Sequence, residues 1–321
     1  MADPLHPAPP WQWAHRAALW RHWLRDPVES LGDLIPHHVM RLLPTDRVSA
    51  IGAILGARSG SRRLEATSRA AALLRHLRPE AGEAEVARLV AAHWSHVGRC
   101  FAEFSALSRF RVEGRISFCG VEHVLGPRQA GRPLIVAGLH VGNWEVVHAG
   151  LAALDIPFHA IYQRLPNRFR MRIADAARHR SRATAGPQAA AGLAPTLGAA
   201  FEAHRLLETR SAALLYYVDE YWQGSVHAPA LGRPLAMKGN IMRAVRLPAA
   251  TGAAIVPAYA LRIGEQARYR LTFLPEVPIG PHGRGRAAIL DDIAALDAAI
   301  DPVVRAHPEQ WFMLHAFRPD R

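Results

Sequence analysis

The sequence predicts an α/β domain: a central, mainly parallel or mixed sheet flanked by helices, preceded by a helical leader. Three observations carry this. Beyond about residue 109, short β-rich runs alternate with helical stretches, the pattern of a sheet whose strands are joined across its faces by helices. Before it, the apolar residues recur only at spacings of three and four, the helical period. Finally, 321 residues suffice to bury roughly three quarters of the surface an unfolded chain exposes, so one large core needs no covalent staple.

The leader opens with "WQWAHRAALWRHWLRDP", where Trp13, Ala17, Trp20 and Leu24 share one helical face, flanked by Leu19 and Trp23. His15, Arg21, His22 and Arg25 stand to the side or opposite, and half of the chain's 8 tryptophans lie in this stretch. Tryptophan on the apolar side with arginine on the polar side marks a helix lying in a membrane interface; a terminal helix docked on its own core shows the same face. Residues 1–27 are therefore read as an amphipathic interfacial helix, with Trp13, Trp20, Trp23 and Arg21 as its contacts. Residues 28–321 form one domain, with a helical leader over about 28–109 and an α/β core over about 110–321. Within the leader, "VSAIGAILGA", "ATSRAAALLRHL" and "EAEVARLVAAHWSHVGRCFAEFSAL" keep the helical period. Within the core, "RISFCG", "PLIVAGL", "FHAIY", "AALLYYV", "AAIVPAYALR" and "RYRLTFL" read as strands, and "RIADAARHRSRA" and "LAPTLGAAFEAHRLLETR" as helices between them.

Composition narrows the function classes. Cys100 and Cys119 are the only cysteines and lack C-x-x-C spacing, which excludes a cysteine-based zinc site and points to a reducing, cytoplasmic compartment. The first residues show no signal peptide, and nothing approaches about 18 uninterrupted apolar residues, so a chain neither exported nor membrane-spanning is expected. The formal charge is +12, and Lys238 is the sole lysine among 39 basic residues. Arginine's planar fork suits phosphate and carboxylate, so an anionic partner is expected: a membrane surface, an acidic carrier protein or nucleic acid. No groove-reading motif supports the last. Glu145 and His148 have the spacing of a di-iron helix, but no second E-x-x-H completes a metal site. "GARSG" misses the hydrolase elbow by one position, and no phosphate-binding loop precedes Lys238.

The stretch "GLHVGNWEVVHAG" concentrates chemistry at residues 138–150. Leu134 to Ala137 reads as a buried strand, Gly138 and Gly142 permit a tight exit, and Asn143 can cap a helix beginning at Trp144. On a continuous helix His140 and Glu145 would lie about 140° apart. With His140 on a loop and Glu145 in the first helical turn, the carboxylate can accept from one imidazole nitrogen and leave the other as a general base. The free N–H groups of that helix end offer an anion site. A capping glutamate beside an ordinary loop histidine has the same pattern. Seven arginines fall between Arg164 and Arg182; a solvated helix face and a basic amphipathic surface for anionic head groups both fit. Asp219 follows the strand "ALLYYV", either at the sheet edge near a cleft or as a turn residue.

"GLHVGNWE", followed by "YQRLPN", "VDEYWQGS", "GAAIVPAYALR" and "HPEQWFMLHAFRP", resembles the bacterial lipid A late acyltransferases of the lysophospholipid acyltransferase superfamily, in order and spacing from about Leu31 to Arg318. The resemblance implies acyl transfer from an acyl-carrier-protein thioester to a lipid hydroxyl at the cytoplasmic face of the inner membrane, without a cofactor. It lays the family's H-x4-E motif on His140 and Glu145, its basic-run arginine on Arg178 and its aspartate on Asp219. The implied roles are base, orienting carboxylate, oxyanion support (shared with N–H groups near Asn143), and organiser of Arg178 or the acceptor. Asn143, Arg164, Arg180 and Lys238 are candidate anion contacts. The family's leading membrane-spanning helix is replaced here by the Trp-rich segment, so attachment is expected to be peripheral. Its D-x-D-x-G reads "DEYWQG", with Tyr221 in place of the second aspartate, and Lys238 and Gly239 stand where small hydroxyl residues are common; an acceptor other than lipid A fits these departures. A coenzyme A-dependent glycerolipid acyltransferase and a non-catalytic basic lipid-binding protein are the alternatives.

Overall fold

A computed structural model describes residues 13–161, 167–183, 197–209, 212–280 and 285–319. The leader comprises α1 (Trp13–Trp20), a π turn at Arg21–Arg25, α2 (Asp26–Met40), α3 (Thr45–Arg62), α4 (Leu64–Leu77) and α5 (Glu83–Glu103). The core continues with β1 (Ile116–Cys119), α6 (Glu122–Gln129), β2 (Leu134–Gly142), α7 (Glu145–Ala153), β3 (Phe158–Ile161), α8 (Arg168–Ala183) and α9 (Leu197–Glu208). After these come β4 (Ala213–Tyr217), the small hairpin β5 (Tyr221–Trp222) and β6 (Ser225–Val226), α10 (Gly239–Thr251), β7 (Ala254–Arg262), β8 (Tyr269–Phe273) and α11 (Arg286–Ala306). The predicted α/β class holds, and each strand read from the sequence is present.

Six strands form one sheet in the order β1-β8-β7-β2-β4-β3, parallel throughout except for the antiparallel pair β7 and β8. Strand periodicity sorts its core. Ile135, Ala137, Leu139 and Val141 of β2 join Leu214, Tyr216 and Val218 in a cluster with α4, α5, α10 and α11. Leu134 and Val136 join Leu215, Tyr217, Val256 and Ala258 on the other face, under α7. Burial on both faces explains why β2 and β4 read as near-continuous apolar runs.

The leader is held tightly. On α3, Gly52, Gly56 and Gly60 face α5, and a Cβ added at Gly56 would stand 2.1 Å from the Trp94 carbonyl oxygen. Only glycine permits that approach, which seats α5 with Phe101 and Glu103 at the rim of the sheet. The first helix does not stop at residue 27. It continues into α2 through the π turn, at the point where Pro27 removes the backbone bond to Trp23. No described helix is long and apolar enough to cross a membrane.

Candidate active site

Strand register assembles the centre. β2 and β4 are parallel with Gly138 opposite Tyr217, so two residues further on His140 lies opposite Asp219 and on the same face. His140 belongs to the last residues of β2, where the pairing with β7 shifts register between Gly138 and Gly142, rather than to a loop beyond the strand. Its Nδ1 lies 2.8 Å from Asp219 Oδ1 and its backbone N–H donates to Oδ2 at 2.9 Å. Trp311 Nε1 donates to the same Oδ2 at 2.8 Å. Asp219 is fully buried, and as a carboxylate it only accepts, so Nδ1 carries the proton and Nε2 presents a lone pair. Tyr217 packs against the imidazole with ring centroids 4.5 Å apart.

The expected pairing of His140 with Glu145 is therefore corrected. Glu145 begins α7 and turns to α8, where Arg178 donates from Nε to Oε2 at 2.9 Å and from Nη2 to Oε1 at 2.6 Å. Trp144 Nε1 adds a third donor at 3.1 Å. Burial alone would raise the Glu145 carboxyl; the Arg178 guanidinium and His148 outweigh it and hold the group at about 2. A bidentate arginine fork satisfies this buried carboxylate better than one imidazole N–H does. Asp219 accordingly organises His140, not Arg178.

Gly142 makes the turn between them. Its φ is +65°, and a Cβ there would come within 1.7 Å of the Ala260 carbonyl oxygen. Asn143 follows, and its assignment as an anion contact is also corrected. Its Oδ1 accepts the Glu145 N–H at 3.1 Å, as the capping reading anticipated, while its Nδ2 donates to Glu103 Oε2 at 2.8 Å. Glu103 also takes Arg262 Nη2 at 2.7 Å and the Tyr269 hydroxyl. This buried network ties α5, β7 and β8 to the turn; sequence reasoning missed it because its members lie up to 166 positions apart. The first N–H groups of α7 are already bonded, to Asn143 Oδ1, Asn143 O and Trp144 O.

A groove of about 850 Å³ opens beside His140. Its lining combines the apolar Phe101, Phe104, Trp144, Ile161, Met171 and Phe312 with the polar His148, Arg178, Glu220, Asn240 and Arg243. Its size and its mixture of aromatic, aliphatic and polar groups fit a site for an amphiphilic ligand. Trp311 and Phe312 were overlooked as site residues although they lie within "HPEQWFMLH"; the indole fixes Asp219, and the Phe312 ring packs 4.8 Å from Trp144. Arg180 instead points to α2, with Nη2 3.5 Å from His37 Nε2. Exposed Lys238 borders a separate cavity with His227 and Arg233. Arg164 and the side chain of Trp13 fall outside the described residues.

The remaining predicted interface residues, Trp20, Arg21 and Trp23, lie on the leader. Trp20, Leu24, Val28, Leu31, Ile35, Val39 and Leu42 are exposed at successive spacings of four and three, forming one apolar stripe roughly 33 Å long at 1.5 Å per residue. Arg21, Arg25 and Arg41 are also exposed. Exposed Trp23 stands beside α8, with the Arg168 guanidinium 5.7 Å from its ring.

Comparison with curated proteins finds no match. The family model of the bacterial lipid A biosynthesis acyltransferases matches residues 28–317, nearly the whole chain. It spans the leader from Val28, the third member of the exposed stripe, the β2 and β4 ends with His140 and Asp219, and the closing segment with Trp311. The chain belongs to the bacterial lipid A biosynthesis acyltransferase family, and is thereby an O-acyltransferase with a lipid acceptor.

Proposed function

We propose that this enzyme moves a fatty acyl chain from an acyl-carrier-protein thioester to a hydroxyl of a lipid A-type or related membrane lipid, with His140 as the general base. The observation carrying this reading is the His140 imidazole, oriented by Asp219 at the wall of a groove whose aromatic and aliphatic residues suit an acyl chain. Nε2 takes the proton of the acceptor hydroxyl as its oxygen attacks the thioester carbonyl. Asp219 stabilises the imidazolium that forms, the part a buried aspartate plays in a Ser-His-Asp triad. Collapse of the tetrahedral intermediate breaks the carbon–sulfur bond, and the departing thiolate takes the proton back from imidazolium. The products are an ester and a free thiol, with no covalent enzyme intermediate.

Arg178 supplies the cation for the oxyanion, aimed by its bidentate hold on Glu145. Glu145 thus acts through Arg178. The N–H groups opening α7 are engaged within the turn, which favours the guanidinium over them.

Attachment to the cytoplasmic face of the inner membrane is peripheral in this reading, through the exposed stripe of α1 and α2. Apolar side chains over about 33 Å, with arginines close by, match an anionic interface. The basic surface also suits an acidic carrier protein.

The test is reconstitution with acyl-carrier-protein and coenzyme A thioesters and a lipid A precursor bearing free hydroxyl groups, product read by mass spectrometry. Acyl gain by the precursor from the carrier-protein donor is expected, and its abolition in His140→Ala with the fold intact. Retained turnover in that variant refutes the base; preference for coenzyme A refutes the donor.

A further inference from the structure

Glu220 lines the same groove as His140, one residue past Asp219, and the mechanism does not use it. Its Oε1 accepts the backbone N–H of Asn240, the second residue of α10, at 2.6 Å. Its Oε2 is buried and has no hydrogen-bond partner among the described residues. An orphaned polar atom at the wall of a ligand groove calls for a partner that arrives with the ligand.

The neighbours define the kind of partner. Asn240 is fixed by Nδ2 donating to the Tyr217 carbonyl at 2.9 Å and by Oδ1 accepting from Arg243 Nη1 at 3.0 Å. Arg243 lies over the Trp222 ring, 5.5 Å from its centroid. Gly239 closes the other side: a Cβ there would stand 3.1 Å from Glu220 Oε1 and 3.2 Å from His227. This part of the groove therefore combines a carboxyl group, a guanidinium and an indole face.

We propose that Glu220 is a head-group subsite of the acceptor lipid, in which its protonated carboxyl donates from Oε2 to an uncharged oxygen, a hydroxyl or ester carbonyl, of the molecule being acylated. The assignment rests on the acyl-transfer reading for what fills the groove, but not for the state of the carboxyl. Burial pushes Glu220 up to about 8; the backbone N–H groups of Asn240 and of Glu220 itself pull it down, Asp219 adds to the rise and the Arg243 guanidinium opposes it. At neutral pH the group is thus a donor. With Oε1 engaged by Asn240, the acidic hydrogen belongs on Oε2. An ionised carboxylate here would instead select an ammonium group.

Two measurements with the full chain test this. Infrared difference spectra of wild type against Glu220→Gln at pH 7 are expected to reveal a protonated-carboxyl band that shifts when a detergent-dispersed lipid A precursor with free hydroxyl groups is added. A missing band, or one indifferent to that lipid, overturns the proposal whether or not the enzyme turns over. In the transfer assay, the wild-type KM for the precursor is expected to rise as pH passes about 8. Glu220→Gln, which keeps a donor and cannot ionise, shows no such rise, and Glu220→Ala raises KM about tenfold at every pH. Superimposable wild-type and glutamine profiles overturn the proposal; a wild type inert towards every acyl donor refutes the transfer reading instead, leaving the spectroscopic result to decide the subsite.

Discussion

Replacing Asp219 by asparagine probes the centre with little change of shape. The native carboxylate serves three donors: His140 Nδ1–H on Oδ1, and the His140 N–H and Trp311 Nε1–H on Oδ2. Asparagine has one carbonyl oxygen and one amide nitrogen to offer. With the oxygen in the Oδ2 position, both backbone and indole stay bonded and the amide NH2 faces Nδ1, which must then give up its proton. The hydrogen moves to Nε2 and the groove-facing lone pair is gone. With the oxygen in the Oδ1 position, two buried donors face an NH2 group, at about 1–3 kcal/mol each. The first arrangement is therefore preferred by at least about 2 kcal/mol, leaving a few per cent of molecules with the competent tautomer. Loss of the negative charge beside the developing imidazolium removes about another 1.5–3 kcal/mol. Together these predict a fall in transfer rate of about 10³- to 10⁴-fold, in line with the loss when a triad aspartate becomes asparagine. Single-turnover transfer of a labelled acyl chain measures it, with thermal denaturation run alongside. A folded Asp219→Asn enzyme within tenfold of wild type would refute the tautomer argument.

Three further outcomes follow from the same geometry. Glu145 titrates at about 2 in the fold against 4.5 for the free side chain; because the folded value is depressed, its stabilisation is present above about pH 4.5 and lost as pH falls towards 2. Glu145→Gln should therefore be less stable than wild type by about 3 kcal/mol at pH 7, a gap that closes on acidification; denaturant titrations giving a pH-independent gap would contradict the ion-pair account. Gly142→Ala forces a side chain into φ +65° and onto the Ala260 carbonyl, which should lower stability by about 3 kcal/mol and Tm by about 4–5 °C; an unchanged melting curve would show that the turn relaxes freely. Replacing Leu24, Val28 and Leu31 together by serine removes three exposed members of the stripe and should weaken sedimentation with anionic vesicles by about 100-fold or more while leaving Tm unchanged; undiminished binding would remove the stripe from the membrane contact.

Much of this protein is settled by local pattern. The β-rich runs around Leu134, Ala213 and Ala254 became the central strands because a run that is apolar at every position is stable only when covered on both faces, and the helical stretches between them supply the cover. Asn143 could be read as a cap, since a cap acts within two residues of itself. His140 and Asp219 could each be marked as strand-end groups, because alternation and strand length are properties of a few consecutive residues. Which carboxylate meets which base is a different kind of fact. Glu145 is five residues from His140 and Asp219 is 79, yet the parallel register of β2 against β4 brings the distant one alongside and α8 captures the near one with Arg178. Glu103 beneath Asn143 and Trp311 on Asp219 likewise arrive from elements remote in the chain. Spacing along a sequence governs neighbours within one helix or strand; contacts between strands, the Arg178 guanidinium that holds Glu145 low and the burial that pushes Glu220 up exist only once the sheet has closed on its helices.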